Sequence, residues 1–259
     1  MPAIISFKQR LAAIDSAPQP MICMPTDYAA DARIEQHAHR KHQLVYAVQG
    51  VMVVQTSGGH WVVPPTRAIW MPAGTVHWIR CVGAVRMRNL FVKPGISRAL
   101  PKALQVVGIS PLLRELIQAA SAVDTPYEAD SREGRLMRLI LDELRTVPVL
   151  ALHLPQPSDA RLREICEHLE REPDDNTTLE AWAKRVEVAA KTIQRSFGRE
   201  TGMTFGQWRQ QLRLLRALEL LATGEKVVDV ALQLGYESPS AFATMFKRQF
   251  GQTPSQFFE

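Results

Sequence analysis

The chain has 259 residues, 46% of them hydrophobic and 22% charged, enough to bury one large core or two modest ones, and two domains fit better. A formal net charge of +5 points to a polyanionic partner, yet the excess sits in the first half: residues 1–157 hold 17 Lys and Arg against 11 Asp and Glu, residues 158–259 hold 14 against 15. Three scattered cysteines, Cys23, Cys81 and Cys166, with no CxxC pair argue against a disulfide framework, and no run approaches the ~18 apolar residues of a membrane span. Met1–Lys8 lacks a basic region followed by an apolar run, so the expected location is the cytoplasm, with no membrane partner.

From Arg33 to Val92, short β-rich runs alternate with turn residues: Gln43–Gly50, Val51–Thr56 before Ser57-Gly58-Gly59, His60–Val63 before Pro64-Pro65, then Ala68–Met71, His77–Val82 and Val85–Val92. That spacing predicts an all-β barrel within residues 1–100. Trp61, Trp70, Met71, Trp78 and Tyr46 either line an apolar pocket in it or fill its core. After Pro101 the apolar period turns helical, at Pro111–Ala120 and Arg132–Thr146, where Leu136, Leu139, Ile140 and Leu144 share one stripe. Residues 101–152 are therefore expected to form a helical, dimerising segment, with the stripe serving as seam or as core. Pro155, Pro157 and the capping residue Asp159 mark residues 153–158 as an interdomain linker.

Residues 159–259 read as helices throughout: Asp159–Arg171, Leu179–Arg185, Ala189–Glu200, Phe205–Ala222, Val227–Leu234 and Ser240–Phe250. Two stretches share one outline. Each has a small residue in a first helix (Ala183, Ala231), a turn (Val186–Val188, Leu234–Tyr236) and apolar residues inside a second helix (Ile193 and Phe197, Phe242 and Phe246). Those are the requirements of a helix-turn-helix that reads DNA. The helix between them repeats Trp208, Leu212, Leu215, Leu218 and Leu221 and is expected to space the two heads by about one DNA turn, roughly 34 Å. Local charge agrees, because Lys184, Arg185, Lys191, Arg195, Arg199, Arg209, Arg213 and Arg216 face only Glu187 and Glu200 in that stretch, while the acidic run Glu164–Asp175 is expected to face solvent.

Ala183, Phe197, Gly202, Phe205, Arg213, Ala217, Ala231, Gly235, Tyr236, Phe242, Phe246, Gly251, Thr253 and Pro254, with their FxxExG and FxxxFGxTP endings, make residues 175–257 resemble the AraC/XylS family of transcription regulators. The resemblance implies a double-stranded DNA operator as partner, a small-molecule or metal effector, a homodimer, and RNA polymerase as a further partner of an activator. On the first reading helix, Ala190, Lys191, Gln194 and Arg195 lie opposite Ile193 and Phe197; Arg195 suits guanine O6/N7 and Gln194 adenine N6/N7. Arg209 and Arg213 are expected on phosphate. The second helix offers Ser238, Ser240, Thr244 and Lys247, suited to thymine methyl, backbone and phosphate contacts, so the first unit should carry most specificity. Ala189 stands where the family often has a capping Ser.

His37-Ala38-His39, three residues, Gln43, six residues and Gly50, followed by Pro72-Ala73-Gly74-Thr75-Val76-His77, resemble the two cupin motifs HxH-x3-E-x6-G and PxG-x2-H, with Gln43 in place of Glu. In a strand His37 and His39 point one way, and a hairpin return would bring His77 alongside. Three readings stay open: a site for a divalent transition metal (Zn, Ni, Cu or Fe) with Cys81 as a further ligand candidate, a pocket for an anionic effector without metal, and structural histidines. His42 is expected to face outward. The fold class is α+β and multidomain, an N-terminal cupin-type barrel followed by helices and a C-terminal all-α double helix-turn-helix over 159–259. The function is operator binding under effector control, with no catalytic residues; the rival is a cupin metalloenzyme, a dioxygenase or isomerase.

Overall fold

The computed structural model describes residues 7–97, 100–144 and 152–258. The chain divides into two compact units, one of residues 1–57 and 63–149, the other of residues 58–62 and 150–259.

The first unit opens with helix α1 (Phe7–Ser16), which an all-β reading of residues 1–100 omits although Phe7, Leu11 and Ile14 have helical spacing. Strands follow: β1 (Met21–Tyr28), β2 (Arg33–His37), β3 (His42–Val45), β4 (Ala47–Thr56), β5 (Gly59–Val63), β6 (Arg67–Met71), β7 (His77–Val92) and β8 (Gln105–Gly108). All but β5 build the cupin-like half-barrel of this unit. Its organiser is β7, which runs antiparallel to β1 from Met21↔Val92 to Tyr28↔Val85 and to β4 from Val51↔Val82 to Gln55↔Trp78. At its start β7 takes β2, with Ile34 opposite Ile79 and His37 opposite His77. At its end it takes β3, which continues to β6 through Gln43↔Met71, and β6 pairs β8.

Helices α2 (Pro111–Ala120) and α3 (Arg132–Glu143) begin where Ser110 and Ser131 accept hydrogen bonds from Leu113 N and Gly134 N, and α2 carries Pro at its first turn. Leu113, Ile117, Met137 and Ile140 pack against Leu44, Tyr46, Trp70 and Leu90 of the sheet in one buried cluster. Each such side chain contributes about 1.5–3 kcal/mol on burial. Tyr46, Trp70 and Met71 are thus core. Of the stripe expected to be seam or core, Ile140 and Leu144 are core, Leu136 is half-buried and Leu139 is 42% exposed, so a seam made of the whole stripe is ruled out. The tail of that helix, residues 145 and 146, lies outside the described residues.

The second unit takes β5 together with β9 (His153–Pro155), paired through Gly59↔Pro155, His60↔Leu154 and Trp61↔His153. The Trp61 ring lies flat on His153, with centroids 4.2 Å apart, which removes Trp61 from any pocket in the first unit. The expected linker, residues 153–158, is therefore corrected: it is built into this unit. Pro155 O accepts from Trp208 Nε1 at 2.8 Å, Gln156 donates to Glu170, and Ser158 N and Oγ donate to Glu200. Burial pushes the Glu170 carboxyl above its ordinary range, so part of the acidic run faces inward rather than to solvent.

Seven helices complete the unit: α4 (Ala160–Arg171), α5 (Leu179–Arg185), α6 (Ala190–Thr201), α7 (Phe205–Ala222), α8 (Val227–Gln233), α9 (Pro239–Phe250) and α10 (Pro254–Phe258). A complete capping box, Thr204 with Gln207, starts the 18-residue α7, which at 1.5 Å per residue spans about 27 Å. Its Arg213 is buried, and its guanidinium donates to Pro173 O (2.7 Å), Asp175 O (3.1 Å) and Asn176 Oδ1 (3.0 Å). A phosphate contact by Arg213 is thereby contradicted: all three bonds hold the loop before α5. Arg209 is half-buried over the Phe205 ring and donates to Thr177 O at 3.0 Å, so it too serves that loop first.

Arg213→Ala should lower the stability of the second unit by about 3 kcal/mol, because it strands three partly buried acceptors. Urea unfolding of the full chain, followed by tryptophan fluorescence, measures this; a loss below ~0.5 kcal/mol, with weaker DNA binding instead, would restore the phosphate role.

Candidate functional site

The turns of the two helix pairs are closed by the same bonds. Val186 N donates to Trp182 O and Val188 N to Ala183 O; Leu234 N donates to Val230 O and Tyr236 N to Ala231 O. Both turns pass through a left-handed residue, Glu187 (φ 54°) in the first and Gly235 (φ 69°) in the second. A Cβ at Gly235 would lie 2.7 Å from Asp174 O, so the second turn admits only glycine, whereas the first accommodates a side chain at a conformational cost.

Helix α6 buries Ile193, Ser196 and Phe197 and exposes Lys191, Gln194 and Arg195 on the other side, with Ala190 half-buried at its start. Four expected readers thus share one end and face of a helix, as the 3.6-residue period requires. Ala189 makes no side-chain cap. Helix α9 buries Phe242, Met245 and Phe246 and exposes Ser240, Thr244 and Lys247. Ser238 is already engaged: its hydroxyl accepts from Ala241 N at 3.1 Å as the helix cap. Of the basic cluster, Arg213 is internal and Arg209 half-buried, and the exposed Arg216 and Arg199 pair with Glu219 (3.1 Å) and Glu200 (3.2 Å), which leaves Lys184, Arg185, Lys191 and Arg195 exposed outside ion pairs. The Glu200 carboxylate accepts from Ser158 and Asp159 through Oε2 and from Arg199 through Oε1 at 3.2 Å, and the bonds from Asp159 and Ser158 lower it below the ordinary carboxylate range.

In the first unit, His37, His39 and His77 converge, with ligand atoms within 4.8 Å of one another. The direct pairing of His37 with His77 across β2 and β7 puts their ring centroids 4.3 Å apart. Gly74, at φ 82°, allows the 72–76 turn to fold back, and its N–H donates to His39 O at 2.8 Å. Gln43 lines the same pocket as His37 and His39. Cys81, buried in the sheet, is not part of the cluster, and burial pushes its thiol up to about 11. His42 does not face freely outward; its Nδ1 accepts from Ala73 N at 3.0 Å and so braces the turn that positions His77.

The hydrogen bonds fix the character of the ring nitrogens. Carbonyl oxygens only accept, so His37 Nδ1 donates to Glu35 O (2.7 Å) and His77 Nδ1 to Thr75 O (3.0 Å), leaving each Nε2 with a lone pair. His77 Nε2, His39 Nδ1 and Gln43 Oε1 are buried with no hydrogen-bond partner. Desolvation lowers all three imidazoles, His39 to about 3 with help from the neighbouring rings and His77 to about 4, so the cluster is neutral at neutral pH. The pocket holds about 410 Å³ including its mouth. Helix α1, absent from the sequence reading, supplies Phe7, Arg10, Leu11 and Ile14 to its wall.

Residues 19–181 match the family described as AraC-like ligand binding domain, and residues 182–259 match the helix-turn-helix domain family. The HTH-type transcriptional regulator NimR of Escherichia coli K12 is 37% identical over 221 residues, covering 85% of this chain and 81% of that protein. The thermoregulatory protein LcrF of Yersinia pestis is 26% identical over 244 residues, 84% of this chain and 89% of its own length. Among solved structures, ToxT of Vibrio cholerae is similar over 93% of this chain and 98% of that one, at 10% identity and a TM-score of 0.39. These matches overturn the rival metalloenzyme reading, since the relatives are named regulators and the helical half matches a DNA-binding domain. The chain belongs to the AraC family: it is a DNA-binding transcription regulator with an N-terminal ligand-binding domain, and not an enzyme.

Proposed function

We propose that this regulator binds a divalent transition metal at His37, His39 and His77, with Gln43 beside them, and that occupancy of the pocket sets its affinity for an operator. The observation that carries this reading is the sign of the available atoms. His37 Nε2, His77 Nε2 and Gln43 Oε1 are acceptors, and an anion would need donors there. Three neutral imidazoles and an amide oxygen suit Zn, Ni, Cu or Fe(II). Control then requires that the occupied pocket favour one of two states that differ in DNA affinity.

On DNA, α6 is the main reader, through Arg195 and Gln194, with Lys191 and Ala190 at the same end; α9 adds Ser240, Thr244 and Lys247. We place the protein in the cytoplasm; among the described residues no helix is long and apolar enough to cross a membrane. The active form is a homodimer, supported by Leu112 (52% exposed) and Leu139 (42%) on the two packed helices of the first unit. RNA polymerase is its further partner where it activates.

Arg195→Ala should weaken operator binding by about 1–3 kcal/mol and relax one base position, while random DNA is bound nearly as before. Equal losses on operator and random DNA in a gel-shift series would remove the base-reading role. Leu139→Glu should shift the full chain from dimer to monomer in sedimentation velocity; an unshifted dimer would place the seam elsewhere. Tag-free protein should carry a transition metal by elemental analysis, and His39→Ala should lose the ion and the effector response while still binding operator in metal-free buffer. A metal-free wild type that takes up no added Co²⁺ would refute the metal reading.

A further inference from the structure

The charges around the histidine pocket do not close on a metal alone. Among the described residues no Asp or Glu lines it, and its ligand atoms come from neutral imidazoles and a neutral amide. A divalent ion would therefore bring two positive charges into a half-enclosed space whose wall already holds the Arg10 guanidinium. Buried charge without a counter-charge is strongly disfavoured. Three or four protein ligands also leave coordination positions open to a further group.

Another part of the pocket lining has the opposite character. Arg10 on α1 carries five N–H donors in a rigid fork, hydrogen-bonds Tyr28, and lines the pocket with the Tyr28 and Thr26 side chains. The Tyr28 oxygen can accept only some of those donors. Ile34, Ile79 and Phe91 line the same pocket and favour hydrocarbon. The occupant must thus present an electron-pair donor to the ion, an acceptor to Arg10 and a short apolar part, with negative charge to balance both the ion and Arg10.

Resting on the metal reading above, we infer that the effector is a compact dianion, a hydroxy-dicarboxylate or its like, which chelates the metal at one end and offers a carboxylate to Arg10 at the other. Arg10 is then the residue that selects for the second carboxylate, and anion and metal bind with positive coupling. By reciprocity each tightens the other.

The full chain, without a His-tag and stripped by a chelator, is titrated with Co²⁺ at buffered free-metal concentration while its visible absorption is recorded. The probes are lactate, which chelates but lacks the second carboxylate, and malate and 2-hydroxyglutarate, which have it at two reaches. Co²⁺ should bind at least about tenfold tighter with one of the diacids than with lactate, within the 5–150-fold span of ordinary site coupling. Arg10→Gln should erase that preference and Arg10→Lys, which keeps the charge without the fork, should retain part of it, with circular dichroism confirming that both variants are folded. Failure to bind Co²⁺ under any condition overturns the metal reading and this inference with it. Binding of Co²⁺ with no preference for either diacid, or a preference untouched by Arg10→Gln, overturns this inference alone.

Discussion

The antiparallel ladder of β7 is the constraint on which the first unit depends. One strand of 16 residues pairs with β1, β2, β3 and β4, so its register sets every other strand. A one-residue slip would send each side chain to the opposite face. With His37 opposite His77, the same register that buries Ile79 and Leu90 brings two imidazoles together, and the 72–76 turn, held by Gly74 N to His39 O, adds the third. The histidine cluster is thus a by-product of sheet pairing and of the turn that His42 braces.

The second unit has its own pivot in the loop 172–177. Arg213 and Arg209 grip it from α7, His168 Nε2 from α4 donates to Asp175 Oδ2 at 2.9 Å, and Gly235 of the second turn packs on Asp174. Since α5 begins just after this loop and α8 ends just before Gly235, both reading heads are referred to one short piece of backbone. A long helix alone would fix the spacing between heads; the loop fixes their rotation as well.

What the sequence made legible follows from periodicity. The helix pairs, their turns and the parity of His37 and His39 are all encoded by spacings of two to four residues, which local backbone geometry enforces. Long-range use of a residue is not so encoded. Arg213 sits among basic neighbours and reads as a phosphate ligand, but α7 is buried all round at this point, through Gln211, Leu212, Leu214 and Leu215, and a charged residue there must find internal acceptors. Strand β1 was hidden by Pro25, which lacks a ladder donor, and is tolerated because β1 pairs only β7 among the described residues. Strand β9 is three residues ending in Pro155, too short for a pattern, and exists because β5 supplies its partner.

The two reading heads differ in how their helix starts are held, and this difference bears on how they share the work. Helix α9 is capped by Ser238, so a first-turn N–H and the hydroxyl that could have met DNA satisfy each other. Helix α6 starts at Ala189 without a side-chain cap, which leaves its first N–H groups and the positive end of its dipole to solvent or to an anion. The same end carries Lys191, Gln194 and Arg195, long enough to reach base edges. Lack of a cap costs the isolated helix about 1 kcal/mol, and a DNA phosphate at that end can return it on binding. The first head thereby gains order together with its contacts, whereas the second is ordered beforehand and offers short side chains. In the reading proposed above, sequence discrimination accordingly concentrates in α6, and α9 serves chiefly to hold the register.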